Sequence, residues 1–271
     1  MAIMNEAQQD AAAQLERLNG PQELHAAVLA LLLPAGSKRA SRAWKLECAG
    51  STRAVQVREW VERLPGVARL PWFEVLVSRV RGQSLDARQA LLEATRRVMG
   101  ARGVMRPIDR LHWLAMRARM GEGTPATTRA AATSDLSQLP QSEVSVIAAY
   151  SAFLARMVPT EATDLDDAAP TEAGLAWYAS VMAPWEKRAA IPPCEPPDTD
   201  GLVHALQELQ AMAWMQRPLL VRGWVLGAIE HSQYGRLTDT AADALRLSCS
   251  LLDSPLPPEL TRHYGSDSPT P

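Results

Sequence analysis

The sequence predicts an all-α protein. Apolar residues recur at helical spacing in nearly every stretch long enough to judge, and no segment shows the strict alternation of a half-buried strand. Prolines and glycines interrupt these stretches and mark where helices end, because proline lacks the amide donor that a helix needs. The chain has 271 residues, of which 47% are hydrophobic, enough to bury a core in one large or two small domains.

The apolar patterns and the breaks between them divide the chain into five segments. We predict an N-terminal extension over residues 1–20, a first helical unit over 21–120, a linker over 121–141, a second helical unit over 142–260 and a disordered tail over 261–271. The linker is assigned from its small, polar, proline-punctuated composition.

The first unit opens with an apolar stripe from Leu24 to Leu32, which ends at Pro34. Shorter helices are predicted before the Pro65-Gly66 break. Two longer helices follow, one with its apolar face between Trp72 and Val80, the other between Leu91 and Val98.

The second unit begins with a helix that Pro159 ends, and another helix precedes Pro184. The proline-rich stretch Ile191–Asp198 is predicted to be an extended connector. The closing segment, Leu202–Leu260, then reads as helix, turn, helix, Gly-centred turn, helix and proline stop.

Three features of the closing segment form a recognisable pattern: Tyr234-Gly235, Leu245-Arg246 and the run Leu252-Asp-Ser-Pro-Leu-Pro-Pro258. The pattern resembles the cytosolic tail of bacterial membrane zinc metallopeptidases of the HtpX-like, "protease with chaperone function" type. The stretch 70–116 repeats the helix, Gly turn, helix order, with Gly103 in the place of Gly235. The parallel suggests a duplication of modules similar to the small helical module of tellurite-resistance TerB proteins.

The chemistry of that family is missing from this chain. Its catalytic site needs two histidines one helical turn apart with a Glu between them, and no HExxH occurs. The resemblance places an acidic metal pair at Arg102 and Asp109 in the first module and at Tyr234 and Ala241 in the second, and neither keeps both carboxylates. We therefore expect no metal, no cofactor and no catalytic residues.

Charge, cysteine spacing and the length of the apolar runs argue against several classes of protein. A formal net charge of −2 gives no global attraction to nucleic acid or to an anionic membrane. The three cysteines form no CxxC pair and are expected to be reduced thiols of a cytoplasmic protein. The longest apolar run, 26–33, is far shorter than the roughly 20 residues of a spanning helix.

Tryptophan is unusually frequent, with eight Trp against two Phe. Because Trp anchors many interfaces as well as cores, we predict Trp177, Tyr178 and Trp185 as partner-binding residues, with core packing as the alternative. The leading prediction is a non-catalytic interaction or adaptor protein that docks a protein partner, a membrane protein being one candidate. The alternatives are residual metal-dependent hydrolase activity, with ligands gathered from scattered residues, and a nucleic-acid-binding regulator that uses the basic N-terminal half.

Overall fold

The computed structural model describes residues 5–34, 36–121, 135–161 and 169–265. Within these ranges the chain forms thirteen α-helices, three short 3₁₀ turns and no β-strand, which confirms the predicted all-α class. The helices are α1 (Glu6–Glu16), α2 (Pro21–Leu31), α3 (Lys38–Glu47), α4 (Ala54–Arg63), α5 (Gly66–Arg81), α6 (Leu85–Gly100), α7 (Pro107–Met120), α8 (Gln141–Leu154), α9 (Glu172–Met182), α10 (Thr199–Ala211), α11 (Gln216–Glu230), α12 (Asp239–Leu251) and α13 (Pro258–Tyr264). The 3₁₀ turns are Leu136–Gln138, Ala183–Trp185 and Gln233–Gly235.

The described residues fall into two compact units, and the division passes through α7. The first unit takes its residues from 1–105, 112–123 and 264–271, and the second from 106–111 and 124–263. Most of the predicted linker, residues 122–134, lies outside the described residues.

Helix α2 lies at the centre of the first unit. It packs against α3, α4, α5 and α6, and every residue from Ala26 to Leu31 is buried. The helix begins at Pro21, where a proline costs nothing because the first amide of a helix has no internal acceptor. The Trp44 indole N–H on α3 donates to the Ala26 carbonyl at 3.0 Å, which ties α3 to α2.

The predicted N-terminal extension contains a helix that belongs to the core. Ala11 and Leu15 of α1 are fully buried, and α1 packs against α4. The Arg79 guanidinium on α5 donates to the carbonyls of Leu15, Glu16 and Leu18 at 3.3, 2.8 and 3.3 Å. Arg79 therefore satisfies carbonyls that the end of α1 leaves without helical donors.

The second unit is assembled around α8 and α11. Helix α8 packs against α9 and α10, while α11 packs against α9 and α12. The start of α9 comes very close to the chain that leaves α8, since a Cβ placed on Gly174 would overlap the carbonyl oxygen of Ala155. A glycine is the residue that allows this approach.

The predicted disordered tail also differs from the observed chain. Residues 261–264 continue α13, and Leu260 and Tyr264, one turn apart, are both buried. The prolines at 257 and 258 read as a stop in the sequence, but Pro258 is the first residue of α13, a position that favours proline. Residues 266–271 lie outside the described residues.

Two glycines turn the chain between paired helices. Gly103 has a φ of 89° between α6 and α7, and Gly235 has a φ of 65° between α11 and α12. The positive φ expected at Gly235 is therefore observed. The preceding residue, Tyr234, also has a positive φ, 55°, which the sequence did not predict.

Candidate functional site

Helix α11 is apolar on nearly all sides. Its buried apolar side chains are Leu220, Val221, Trp224, Val225 and Ala228, and they face the second unit. A helix with apolar residues all round is usually enclosed by protein on every side. In the described part of the chain α11 is covered on one side only, so apolar side chains on its opposite face are exposed to solvent.

The covered side of α11 rests on a rigid aromatic cluster. The Trp224 ring stacks on Tyr150 of α8 with the ring centroids 5.4 Å apart. The Trp224 indole N–H donates to the Ser151 hydroxyl at 3.0 Å, and the Tyr150 hydroxyl lies 3.0 Å from that of Ser248 on α12. Burial raises the pKa of Tyr150 above its ordinary value, so the phenol stays neutral. These hydrogen bonds tie α11 to α8 and α8 to α12.

Exposed apolar side chains lie on the uncovered side of α11 and in the turn that precedes it, and together we call them the α11 stripe. Leu219 and Leu226 are on the helix, Trp214 and Met215 are in the turn before Gln216, and their exposed fractions are 48, 44, 71 and 42%. Met215, Leu219 and Leu226 are spaced by four and seven residues, so they lie on one face of the helix. Between them Gly223 adds no side chain, and no atom lies within 4 Å of the position a Cβ would occupy.

One charged residue lies on the same face. Arg222 is exposed, and it makes no hydrogen bond or ion pair with any residue in the ranges that the structure covers. It lies one turn from both Leu219 and Leu226. The α11 stripe therefore combines a tryptophan, a methionine and two leucines with one cation that has no ion-pair partner among the described residues.

The structure places the three sequence-predicted anchors in the interior instead. Trp177, Tyr178 and Trp185 are only 0, 5 and 3% exposed. The Trp177 indole N–H donates to the Trp224 carbonyl at 3.1 Å. In this conformation Trp177 is a core residue that supports α11.

The other two predicted anchors also use their polar atoms internally. The Trp185 indole N–H donates to the Leu136 carbonyl at 2.6 Å, and the Tyr178 hydroxyl donates to the Pro192 carbonyl at 2.7 Å. Burial raises the pKa of Tyr178 to about 12. The exposed aromatic residue of this unit that sequence reasoning missed is Trp214, and its signal was a large apolar side chain in the short turn between α10 and α11.

A shallow cleft between α8 and α10 brings together several polar residues that are distant in sequence. Its volume is about 310 Å³, and Ser142, Glu143, Val146, His204, Glu208 and Met212 line it. His204 and Glu208, one turn apart on α10, meet Glu143 of α8 here. Across the described residues, no three or more His, Cys, Asp or Glu side chains are grouped so that they could hold a metal ion.

Asp109 is the acidic residue that this chain keeps at the positions where the resemblance places a metal pair, and its carboxylate already accepts hydrogen bonds. Asp109 is buried, and its carboxylate accepts from the Arg106 backbone N–H at 3.1 Å and from the Arg106 guanidinium at 3.2 Å. Its counterpart in the second module, Ala241, is also buried, and its methyl side chain offers no oxygen to a cation.

Comparisons of the chain with protein-family models, with curated proteins and with solved structures found no match. The resemblance to the metallopeptidase tail therefore stays a prediction from the sequence. Among the helices of the described ranges, none has both the length and the apolar character needed to cross a membrane.

Proposed function

We propose that this protein is a non-catalytic interaction protein that docks a protein partner through the α11 stripe. The observation that carries the proposal is the uncovered apolar face of α11, held rigidly from behind by Trp224. Exposed apolar side chains grouped on one element mark interaction surfaces, whereas single ones are ordinary. Trp and Arg are also the residues that contribute most to binding at interface centres.

The composition of the α11 stripe defines the partner surface that would fit it. The partner needs an apolar groove or helix face for Trp214 and Leu219, with a carboxylate opposite Arg222. Such an ion pair selects a partner, since a cation buried without its counter-ion opposes binding. A relation to the tail of a membrane metallopeptidase, which the closing motif suggests, makes a membrane protein the first partner to test.

The test is a pull-down from native cell extract with the membranes solubilised. The wild type and a variant carrying Trp214→Ala and Leu219→Ser each serve as bait, and the partners that they recover are compared. The matched control is Leu46→Ser with Val55→Ser, because Leu46 and Val55 are exposed apolar residues of the first unit, at 73 and 64%. Surface substitutions usually change stability by less than about 0.5 kcal/mol, so both variants should melt like the wild type.

We expect the wild type and the control to recover the same partner and the stripe variant to lose it. Truncation of an interface anchor costs about 2 kcal/mol or more, so affinity should fall at least about 30-fold. Equal recovery by the stripe variant would show that α11 is not the docking surface. Recovery of nucleic acid alone by the wild type would favour the nucleic-acid-binding alternative.

A further inference from the structure

The exposed face of α11 ends in a carboxylate as well as carrying a cation. Glu230, the last residue of α11, is exposed, and its side chain makes no hydrogen bond or ion pair with any residue in the ranges that the structure describes. Arg222, which has no ion-pair partner there either, lies eight residues earlier, and Leu226 lies halfway between the two. The exposed face therefore presents a cation, a leucine and a carboxylate in that order.

These three residues form one ridge of the helix. Residues four apart lie about 40° apart around an α-helix and about 6 Å apart along its axis. Arg222 therefore lies about 6 Å before Leu226 along the axis, and Glu230 lies about 6 Å after it. Ridges of this i, i+4 kind pack against each other in the commonest class of helix contact, in which the axes cross at about −50°.

A second copy of α11, placed antiparallel across a two-fold axis at Leu226, matches all of these groups. The two Leu226 side chains meet at the axis. Arg222 of one copy comes level with Glu230 of the second copy, and because the symmetry repeats the contact, two ion pairs form. Leu219 comes level with the turn that follows α11 in the second copy, where Tyr234 is 96% exposed.

Charge distinguishes this register from the other arrangements that the α11 stripe allows. A two-fold axis at Gly223 would pair Leu219 with Leu226, and the open space over Gly223 would permit a close approach. It would also place the two Arg222 guanidinium groups side by side and leave Glu230 without a partner. A parallel pair of helices would likewise set each Arg222 against the same residue of the other copy. Like charges placed together at an interface oppose binding.

We infer that a second copy of this chain covers the α11 stripe, with the two α11 helices antiparallel and crossing at Leu226. The inference rests on the proposed function, because it names the occupant of the same surface. Helix α11 itself meets the requirements given above, namely a helix face with a carboxylate opposite Arg222. A membrane protein that used the α11 stripe would have to displace the second copy. One helix and its flanking turns make a small interface, so the Kd should be on the order of 1–100 µM.

The experiment is sedimentation velocity of the purified full chain at concentrations from about 1 to about 500 µM, which bracket that Kd. The wild type should shift with concentration from the 29.6 kDa of one chain towards twice that mass. Arg222→Glu and Glu230→Arg should each raise the Kd at least about 100-fold, because each sets like charges together at both symmetry-related contacts. The matched control is Lys187→Glu, which reverses another exposed cation of the same unit and should leave the Kd unchanged.

Mixing the two charge variants tests the pairing directly. The Arg222→Glu chain has carboxylates at both positions, and the Glu230→Arg chain has guanidinium groups at both. An equimolar mixture should therefore form a heterodimer with a Kd close to that of the wild type, although each variant alone stays monomeric. A mixture that also stays monomeric would contradict the register.

A wild type that remains monomeric at the highest concentration overturns the inference. So does a dimer that Arg222→Glu leaves unchanged or strengthens, and a strengthened dimer would indicate a crossing at Gly223 instead. Sedimentation involves this chain alone, whereas the pull-down detects other proteins, so the two proposals can fail separately. A monomeric wild type whose stripe variant still loses a partner from the extract would reject the dimer and keep the docking function. A heterodimer of the charge variants, with equal recovery in the pull-down, would keep the dimer and reject the docking of another protein.

Discussion

Replacing Gly174 by alanine should destabilise the second unit, whereas the same replacement at Gly223 should stabilise it. Both glycines lie within α-helices, and neither has a positive φ. In a helix with open surroundings, alanine is more favourable than glycine by about 1 kcal/mol. At Gly223 nothing lies within 4 Å of the added methyl group, so the full gain is expected.

At Gly174 the added methyl group meets backbone. It would overlap the Ala155 carbonyl oxygen and lie 3.1 Å from its carbonyl carbon. A backbone carbonyl cannot rotate away as a side chain can, so the start of α9 must move. Overlap with a backbone atom is a severe form of overpacking that costs about 2–3 kcal/mol or more, which exceeds the gain in helix propensity of about 1 kcal/mol. The net loss should be about 1–2 kcal/mol.

The assay is urea unfolding of the full chain followed by circular dichroism, with both variants measured beside the wild type. The two variants should differ by about 2–3 kcal/mol, with Gly223→Ala above the wild type and Gly174→Ala below it. Because each variant makes the same chemical change, helix propensity cancels between them. A Gly174→Ala protein as stable as the wild type would refute the close approach of α9 to Ala155.

Other predictions concern both units. Arg97 donates to Glu47 at 2.6 and 2.9 Å, which holds the pKa of Glu47 below its ordinary value, so Arg97→Gln should raise that pKa in an NMR titration. The stability lost, below about 1 kcal/mol at pH 7, should vanish as the pH falls through the folded pKa of Glu47, because protonation ends the pairing in the wild type as well. Gly235→Val should lower the free energy of unfolding by about 1–3 kcal/mol, and an unchanged urea midpoint would show that the positive φ is not required. Limited proteolysis should cut first within residues 121–141, as mass spectrometry of the fragments can show. Elemental analysis should find no stoichiometric zinc, and one zinc per chain would contradict the non-catalytic assignment.

The all-α class could be predicted because each helix depends largely on its own sequence. The apolar spacing from Leu24 to Leu32 and the breaks at proline are local signals, and the turn at Gly235 is local as well. The burial of Trp177 and Trp185 could not be predicted from local sequence in the same way. Whether an indole is buried depends on an acceptor elsewhere, and their acceptors, on Trp224 and Leu136, are more than forty residues away in the chain.

The exposed face of α11 could not be located from periodicity. When apolar residues lie on all sides of a helix, their spacing does not indicate which side faces the core. Only the packing of α9 and α12 shows which side of α11 is covered. The sequence did contain a usable signal, namely more apolar residues on α11 than one buried face needs.

The contact between Arg79 and the end of α1 limits how this gene can be shortened. A chain that begins at residue 21, the start of the predicted first unit, would remove the three carbonyls that Arg79 binds and would expose the side of α4 that α1 covers. Such a fragment would have a partly desolvated cation without acceptors, together with new apolar surface, and both favour aggregation. Expression of the first unit should therefore start no later than Asn5, which caps α1.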